Sequence, residues 1–286
     1  MGTLFVVATP IGNLNDISKR AVETLQSGDY ILCEDTRTSL KLLNSFEIKN
    51  KLISYHKFNE KERSSLILKD IKSGKNIALI SDAGTPCISD PGEVIVKAAR
   101  ENNIPVIGVG GISALITALS ISGLSTENFT FHGFFPKDNK DKNKKMEELK
   151  NSETLTHVFY ESPKRIVKTL EYINENLGNL KVSVLKELTK IHEKNYYGNL
   201  DLVITELKKD EKKDLGEYTF ILEKEKNDIK QDKSILIESL LLEEIIRENI
   251  SLKEAIDIVN KKHTNLSKKE IYNASLNLKD TFSKIC

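Results

Sequence analysis

Over the first 122 residues, five short apolar runs alternate with stretches of helical pattern. The runs are residues 3–8, 30–33, 51–55, 76–80 and 104–107. Each contains Ile or Val and is too short for a buried helix, so each reads as a strand buried on both faces. Between them, Asp16 reads as the N-cap of a helix ending near Gly28, and residues 60–72 favour a helix. A third helix opens at Asp90-Pro91-Gly92-Glu93, with Asp90 placed to cap, Pro91 at the first helical position and Glu93 placed to reach back. A fourth covers Ser113–Ser122. Strands alternating with helices predict a parallel, right-handed α/β sheet.

The pattern then changes. Residues 137–150 carry six Lys against four acids and read as an exposed lobe or a boundary. Strands follow at 154–160, 181–186, 196–200 and 218–222, with a helix from Ser162-Pro163 to about Leu177. This is a second, smaller α/β unit with a mixed sheet. Residues 224–233 (EKEKNDIKQD) read as a linker, and the rest is helical. Ser251–Glu254 and Ser267–Glu270 both have the spacing of a capping box. Leu252, Ala255, Ile256 and Val259 share one helical face, as do Ile271, Ala274, Leu278 and Phe282, in a helix-turn-helix layout. The expected organisation is an α/β domain over 1–122, a second over 123–225 and a helical domain over 234–286.

Charge narrows the function classes. A formal net charge of +1 means that nucleic acid could be held only by local patches, residues 137–150 and the basic stretch 261–286. Cys33, Cys87 and Cys286 are widely spaced and odd in number, which argues against a disulfide framework and fits the cytoplasm. The histidines at 56, 132, 157, 192 and 263 lack metal-ligand spacing. No apolar run reaches membrane-spanning length, so no membrane partner is expected.

In an open parallel sheet, ligands bind beyond the carboxyl ends of the strands. Four loops leave such ends and are expected to converge: Thr9–Asn15, Glu34–Arg37, Ser81–Pro91 and Gly108–Ser113. None matches a dinucleotide fingerprint or a P-loop. The third reads SDAGTPCISDPG over 81–92, a density of Gly, Pro and Asp that lets backbone approach a ligand. In the second, Glu34 and Asp35 beside Arg37 could orient a hydroxyl or phosphate, or Asp35 could simply cap a helix with Arg37 as a surface partner. Phe159–Arg165 places an aromatic and a carboxylate at a strand end, and the cations Lys164 and Arg165 oppose a helix dipole there. Lys186–Glu193 is a similar polar stretch.

Six segments in order, VATPIGNL (7–14), EDTR (34–37), ISYH (53–56), SDAGTP with ISDPG (81–92), FYESP (159–163) and ELTK (187–190), closely resemble the bacterial small-subunit ribosomal RNA methyltransferase I family. That family lies within the tetrapyrrole methylase superfamily of S-adenosylmethionine-dependent enzymes. The resemblance implies two α/β domains with S-adenosylmethionine in the cleft between them, a homodimer, and methyl transfer to the 2′-hydroxyl of a cytidine in the decoding region of 16S ribosomal RNA in the small subunit. By motif it places Pro10 in the first cofactor loop and Asp82, Gly84, Thr85 and Ile88 in the loop around the methionine part. Ser113, Ala114, Tyr160 and Leu188 complete the expected cofactor contacts. Glu34, Asp35 and Glu187 become candidates for accepting the hydroxyl proton, with Arg37 as an orienting cation. One departure stands out: relatives usually carry prolines where this chain has Gly108-Val-Gly-Gly-Ile112, which predicts a less preorganised loop. Two other readings share these motifs, a sister methylase acting on a corrinoid or a protein side chain, and an RNA-binding assembly factor without activity.

Overall fold

The structure, a computed structural model, describes residues 1–224, 233–263 and 266–285. The first half runs β1 (Leu4–Val7), α1 (Lys19–Ser27), β2 (Tyr30–Cys33), α2 (Thr36–Ser45), β3 (Leu52–Ser54), α3 (Glu60–Lys72), β4 (Ile77–Leu79), α4 (Glu93–Glu101), β5 (Val106–Val109) and α5 (Ala114–Ile121). The strands pair in parallel in the order β3-β2-β4-β1-β5. Their period of two sorts the core into two layers. Val7, Ile31, Cys33 and Ala78 meet Ala21, Leu25 and Leu43 of α1 and α2. Leu4, Leu32, Ile77 and Leu79 meet Ile67, Ile71, Ile95 and Ala99 of α3 and α4. Helices cover both faces, which is why these strands are apolar throughout rather than alternating.

The second half runs β6 (Phe129–Phe134), α6 (Asn139–Asn151), β7 (Thr156–Glu161), α7 (Ile166–Leu177), β8 (Lys181–Lys186), β9 (Lys194–Asn199), α8 (Leu200–Lys209) and β10 (Tyr218–Glu223). Its sheet has the order β6-β7-β10-β8-β9, with β6 and β7 parallel and the other pairs antiparallel. Phe159, Val184 and Phe220 face a core closed by α6, α7 and α8. On the other face Val158, Leu185 and Ile221 pack against Ala118 and Leu119 of α5 and against Ile11. Thus α5, reached from the first sheet, supports the second.

Several local expectations need correction. The lysine-rich stretch, expected as an exposed lobe or a boundary, forms α6, whose Met146 and Leu149 are buried and whose Lys145 turns inward to His132 while Lys140, Lys144 and Lys150 are exposed. Asp16 lies in a short 3-10 turn, and Ser18 caps α1 by accepting from Ala21 N. Asp90 does not cap α4. Gly92 takes that position with φ 132°, and its N–H donates to Glu60 Oε1 of α3 at 2.8 Å. Residue 200 begins a helix rather than ending a strand. Helix α8 and strand β6 were not expected, and α2 realises the alternative reading in which Asp35 caps a helix.

The expected linker at 224–233 lies almost wholly outside the described residues. The helices beyond it form a second compact unit: α9 (Lys233–Glu248), α10 (Leu252–Lys262) and α11 (Lys268–Ile285). Their core is Ile237, Leu241, Ala255, Val259, Ile271, Ala274 and Leu278. Both capping boxes form, since Ser251 and Glu254 bond reciprocally, as do Ser267 and Glu270. Phe282 departs from the expected face and is about half exposed.

Candidate active site

Strands β4, β1 and β5 are neighbours, so the loops that leave their carboxyl ends are neighbours as well. Backbone bonds join the first two: Thr9 N donates to Gly84 O at 2.8 Å, and Gly84 N to Thr9 O at 3.1 Å. Ser18 Oγ donates to Gly110 O at 3.1 Å, which ties the first loop to the fourth. The loop after β2 joins through Asp35 N, which donates to Asp82 Oδ1 at 3.2 Å. All four loops therefore converge.

The Ser81–Gly92 loop folds through left-handed backbone at Gly84, Cys87, Ser89 and Gly92. Two of these are not glycine, a conformation that persists only when the surroundings impose it. The bond from Gly92 N to the buried Glu60 is one such constraint. A side chain at Gly92 would meet Cys87 Sγ and Leu79 at 2.7 Å.

This loop forms one wall of a cavity of about 400 Å³. Asp82, Gly84, Thr85, Ile88, Ser113, Ala114 and Tyr160, all expected from the sequence, line it. Pro10 lies in an adjoining shallow cavity with Lys41 and Lys190, and Leu188 in a small one that also touches Ala114. Phe134, Glu161–Pro163 and Gly216–Thr219 also line the main cavity and were missed as site residues. The FYESP segment was a signal for Glu161–Pro163. The turn before β10 carried none.

The carboxylates in and around the cavity differ in what holds them. Glu161 is buried and saturated: Arg165 donates to it at 2.8 Å, Thr169 at 2.7 Å and Ser162 N at 2.7 Å. Arg165 also donates to the Phe135 and Pro136 carbonyls, so its place against the helix dipole is explained by structure. Asp90 lines the cavity half-buried. Burial, then the neighbouring charges of Glu34 and Asp82, push its carboxyl up to about 6, opposed by Ser81 and Lys57. Burial and the Asp82 charge push Glu34 upward too. Tyr160 rises to about 12, through burial first.

Glu34, Asp35, Arg37 and Glu187 do not line the main cavity. Asp35 caps α2 through Arg37 N at 2.8 Å and holds the exposed Arg37 guanidinium at 2.7 Å. The hydrogen bonds from Arg37 hold its carboxyl down at about 2. Glu187, in left-handed backbone at φ 54°, accepts from Lys190 Nζ at 2.7 Å and Glu217 N at 3.0 Å. A histidine pair, His132 and His157, lies under α6, 3.0 Å apart, and burial holds both near 4. Among the described residues no cluster of His, Cys, Asp or Glu could hold a metal ion.

A cavity with apolar walls, carboxylates at Asp82 and Asp90 beside the engaged Glu161 and Glu217, and an uncapped helix start suits a ligand that combines a flat apolar part, a cation and an anion. Ile11, Ile88, Ala114 and Tyr160 supply the walls, Asp82 and Asp90 the negative charge. The first N–H groups of α5 receive no bond from the Ser113 side chain.

Two sheets of this topology, joined through α5 around such a cavity, define a methylase architecture. The chain matches the Tetrapyrrole (Corrin/Porphyrin) Methylases model over residues 3–203 and belongs to that family; it is a methyltransferase. Curated relatives place it more narrowly. It is 40% identical over 278 residues to "Ribosomal RNA small subunit methyltransferase I" of Bacillus subtilis (strain 168), covering 96% of this chain and 94% of that protein. The protein of the same name from Halalkalibacterium halodurans is 47% identical over 200 residues, 70% of this chain and 69% of that one. A crystal structure of diphthine synthase shares the fold, with a TM-score of 0.61 at 15% identity, covering 78% of this chain and 90% of that one.

Proposed function

We propose that the protein transfers the methyl group of S-adenosylmethionine to the ribose 2′-hydroxyl of a cytidine in the decoding region of 16S ribosomal RNA. The observation that carries this reading is the near full-length identity to a relative named as a small-subunit ribosomal RNA methyltransferase. When bound, the donor supplies an electrophilic methyl group on a positively charged sulfur. Asp82 and Asp90 would offset that charge, with Ile11, Ile88, Ala114 and Tyr160 against the apolar parts and the start of α5 toward the carboxylate. The joined loops would hold donor and ribose in line, an entropic contribution to rate.

A neutral 2′-hydroxyl is a poor nucleophile and benefits from a proton acceptor. Asp35 and Glu187 are already engaged by Arg37 and Lys190. Glu34 is the candidate left: its raised pKa makes it a better base than an ordinary carboxylate. Its replacement by Gln is expected to reduce turnover more than donor affinity. The reading also carries a cytoplasmic location and a homodimer, the second open to test by sedimentation.

The test is transfer of labelled methyl from S-adenosylmethionine to small ribosomal subunits from cells lacking the protein, followed by digestion to nucleosides. Labelled 2′-O-methylcytidine is expected. No label with donor binding intact would favour a sister methylase, and loss of both would favour an assembly factor. Removal of residues 228–286 is expected to reduce transfer to subunits while donor affinity holds.

A further inference from the structure

The turn between β3 and α3, residues 55–59, sits on the same carboxyl edge as the four loops, and no role above uses it. Tyr55 N donates to Cys33 O at 2.7 Å, which fixes the start of the turn beside the end of β2. Asn59 closes it. Its Oδ1 accepts from His56 N at 2.8 Å, its Nδ2 donates to Ser54 O at 3.3 Å, and its own N–H donates to His56 O at 2.9 Å. Asn59 stands at the N-cap of α3 but makes no cap bond, because its side chain is committed to the turn. One residue on, Glu60 is buried and bonded to Gly92 N, so the turn is tied directly to the cavity loop.

At the tip of this wired turn, Phe58 is 98% exposed. Among the described residues its ring contact is edge-on, to His56 at 5.9 Å. Lone exposed apolar residues are common, and exposure by itself indicates nothing. Here the exposure is enforced by a rigid turn, and the preceding residue is Lys57, whose charge acts on both Glu34 and Asp90. An aromatic ring and an ammonium therefore follow one another in a turn that is bonded through Glu60 to the cavity loop, with the exposed Lys61 and Glu62 after them. A partner protein would need a contiguous apolar patch, and these polar neighbours do not provide one. An unstacked nucleotide needs a flat ring and a cation, and both are present.

We propose that Phe58 is a stacking platform for a base of the RNA substrate next to the target nucleotide, with Lys57 directed to its phosphate. This rests on the RNA reading above and adds to it a residue that binds substrate without touching the methyl donor. No bond is made or broken at this site.

The chain has no tryptophan, so Phe58→Trp introduces a lone fluorophore at the platform. Titration with a decoding-region RNA fragment, to saturation judged by anisotropy of the labelled RNA, is expected to quench its emission. In methylation of small subunits, Phe58→Ala is expected to raise KM about ten-fold, the scale of one lost base stack. Phe58→Trp restores KM and Phe58→Leu does not, while the donor dissociation constant measured by calorimetry is unchanged in all three. An unchanged KM in Phe58→Ala, or rescue by Leu, would overturn the proposal. So would quenching that follows protein concentration without RNA, which would assign the ring to contact between copies of the chain. Failure of the wild-type protein to methylate subunits would instead overturn the RNA reading itself.

Discussion

Two carboxylates in the body of the molecule are held in opposite ways. Asp210, the C-cap of α8, has only 7% of its side chain exposed, and loss of solvent alone would push its pKa up. Instead Tyr196 at 2.7 Å, Lys186 at 3.0 Å, Lys212 N at 3.0 Å and Lys194 at 3.3 Å hold it well below the usual carboxylate range. Asp90 lines the cavity, is raised by the charges of Glu34 and Asp82, and has Lys57 as a compensating charge. The first group is internally complete and serves the fold. The second is left open, with its negative charge toward the cavity.

The pH behaviour follows with opposite signs. Asp210, with its depressed pKa, contributes stability above the ordinary carboxylate range, and this is lost as pH falls through its folded value. Asp90, raised to about 6, contributes stability that is fully present below the ordinary carboxylate pKa and is lost as pH climbs through about 6.

The largest expected effect comes from breaking the completed group. Lys186→Ala leaves Asp210 buried with weaker partners and is expected to cost about 3 kcal/mol in urea unfolding. Donor affinity of the folded fraction holds. A loss no larger than a surface pair gives would remove the contrast. Next, Asp90→Asn is expected to weaken donor binding about ten-fold while raising the melting temperature of the donor-free protein above pH 6 but not at pH 4. In the wild type, calorimetry should show affinity rising from pH 5 to 7, with the slope abolished in the variant.

Two glycines of the fourth loop sharpen the comparison on the backbone side. A Cβ at Gly111 would lie 2.9 Å from Ala8 Cβ, so Gly111→Ala pushes the first and fourth loops apart. A several-fold loss of donor affinity is expected. A Cβ at Gly110 meets nothing within 4 Å, and its φ is not left-handed. Gly110→Pro, which fixes φ, is expected to improve affinity by about two- to three-fold. Lack of any gain would show that the glycine loop is already held by its neighbours.

The parallel sheet was legible because each strand carries a plain apolar run and ends in turn chemistry. Strand β6 was not: FTFHGF is broken by Gly133 in left-handed backbone, and its register with β7 shifts between Phe131 and Phe134. Helix α2 hides its amphipathic face in a polar stretch, since only Ser39 and Leu43 are buried. Helix α6 was obscured by its lysines, because charge density says where a surface is and nothing about what lies behind it. Within the site, loop residues could be read from motifs. Their partners from Gly216–Thr219, more than 100 positions away, reach the cavity only through tertiary folding. Glu60 was legible as a helical residue and not as the group that holds Gly92, for the same reason.

The reciprocal bonds between Thr9 and Gly84 have a consequence for substitution. They are main-chain bonds, so they constrain the path of the loops and leave most side chains free to change. A junction built this way keeps its path while the side chains along it change, except at Gly84, whose left-handed backbone restricts the choice. Side chains on the cavity wall can then be exchanged without rebuilding the loops that carry them.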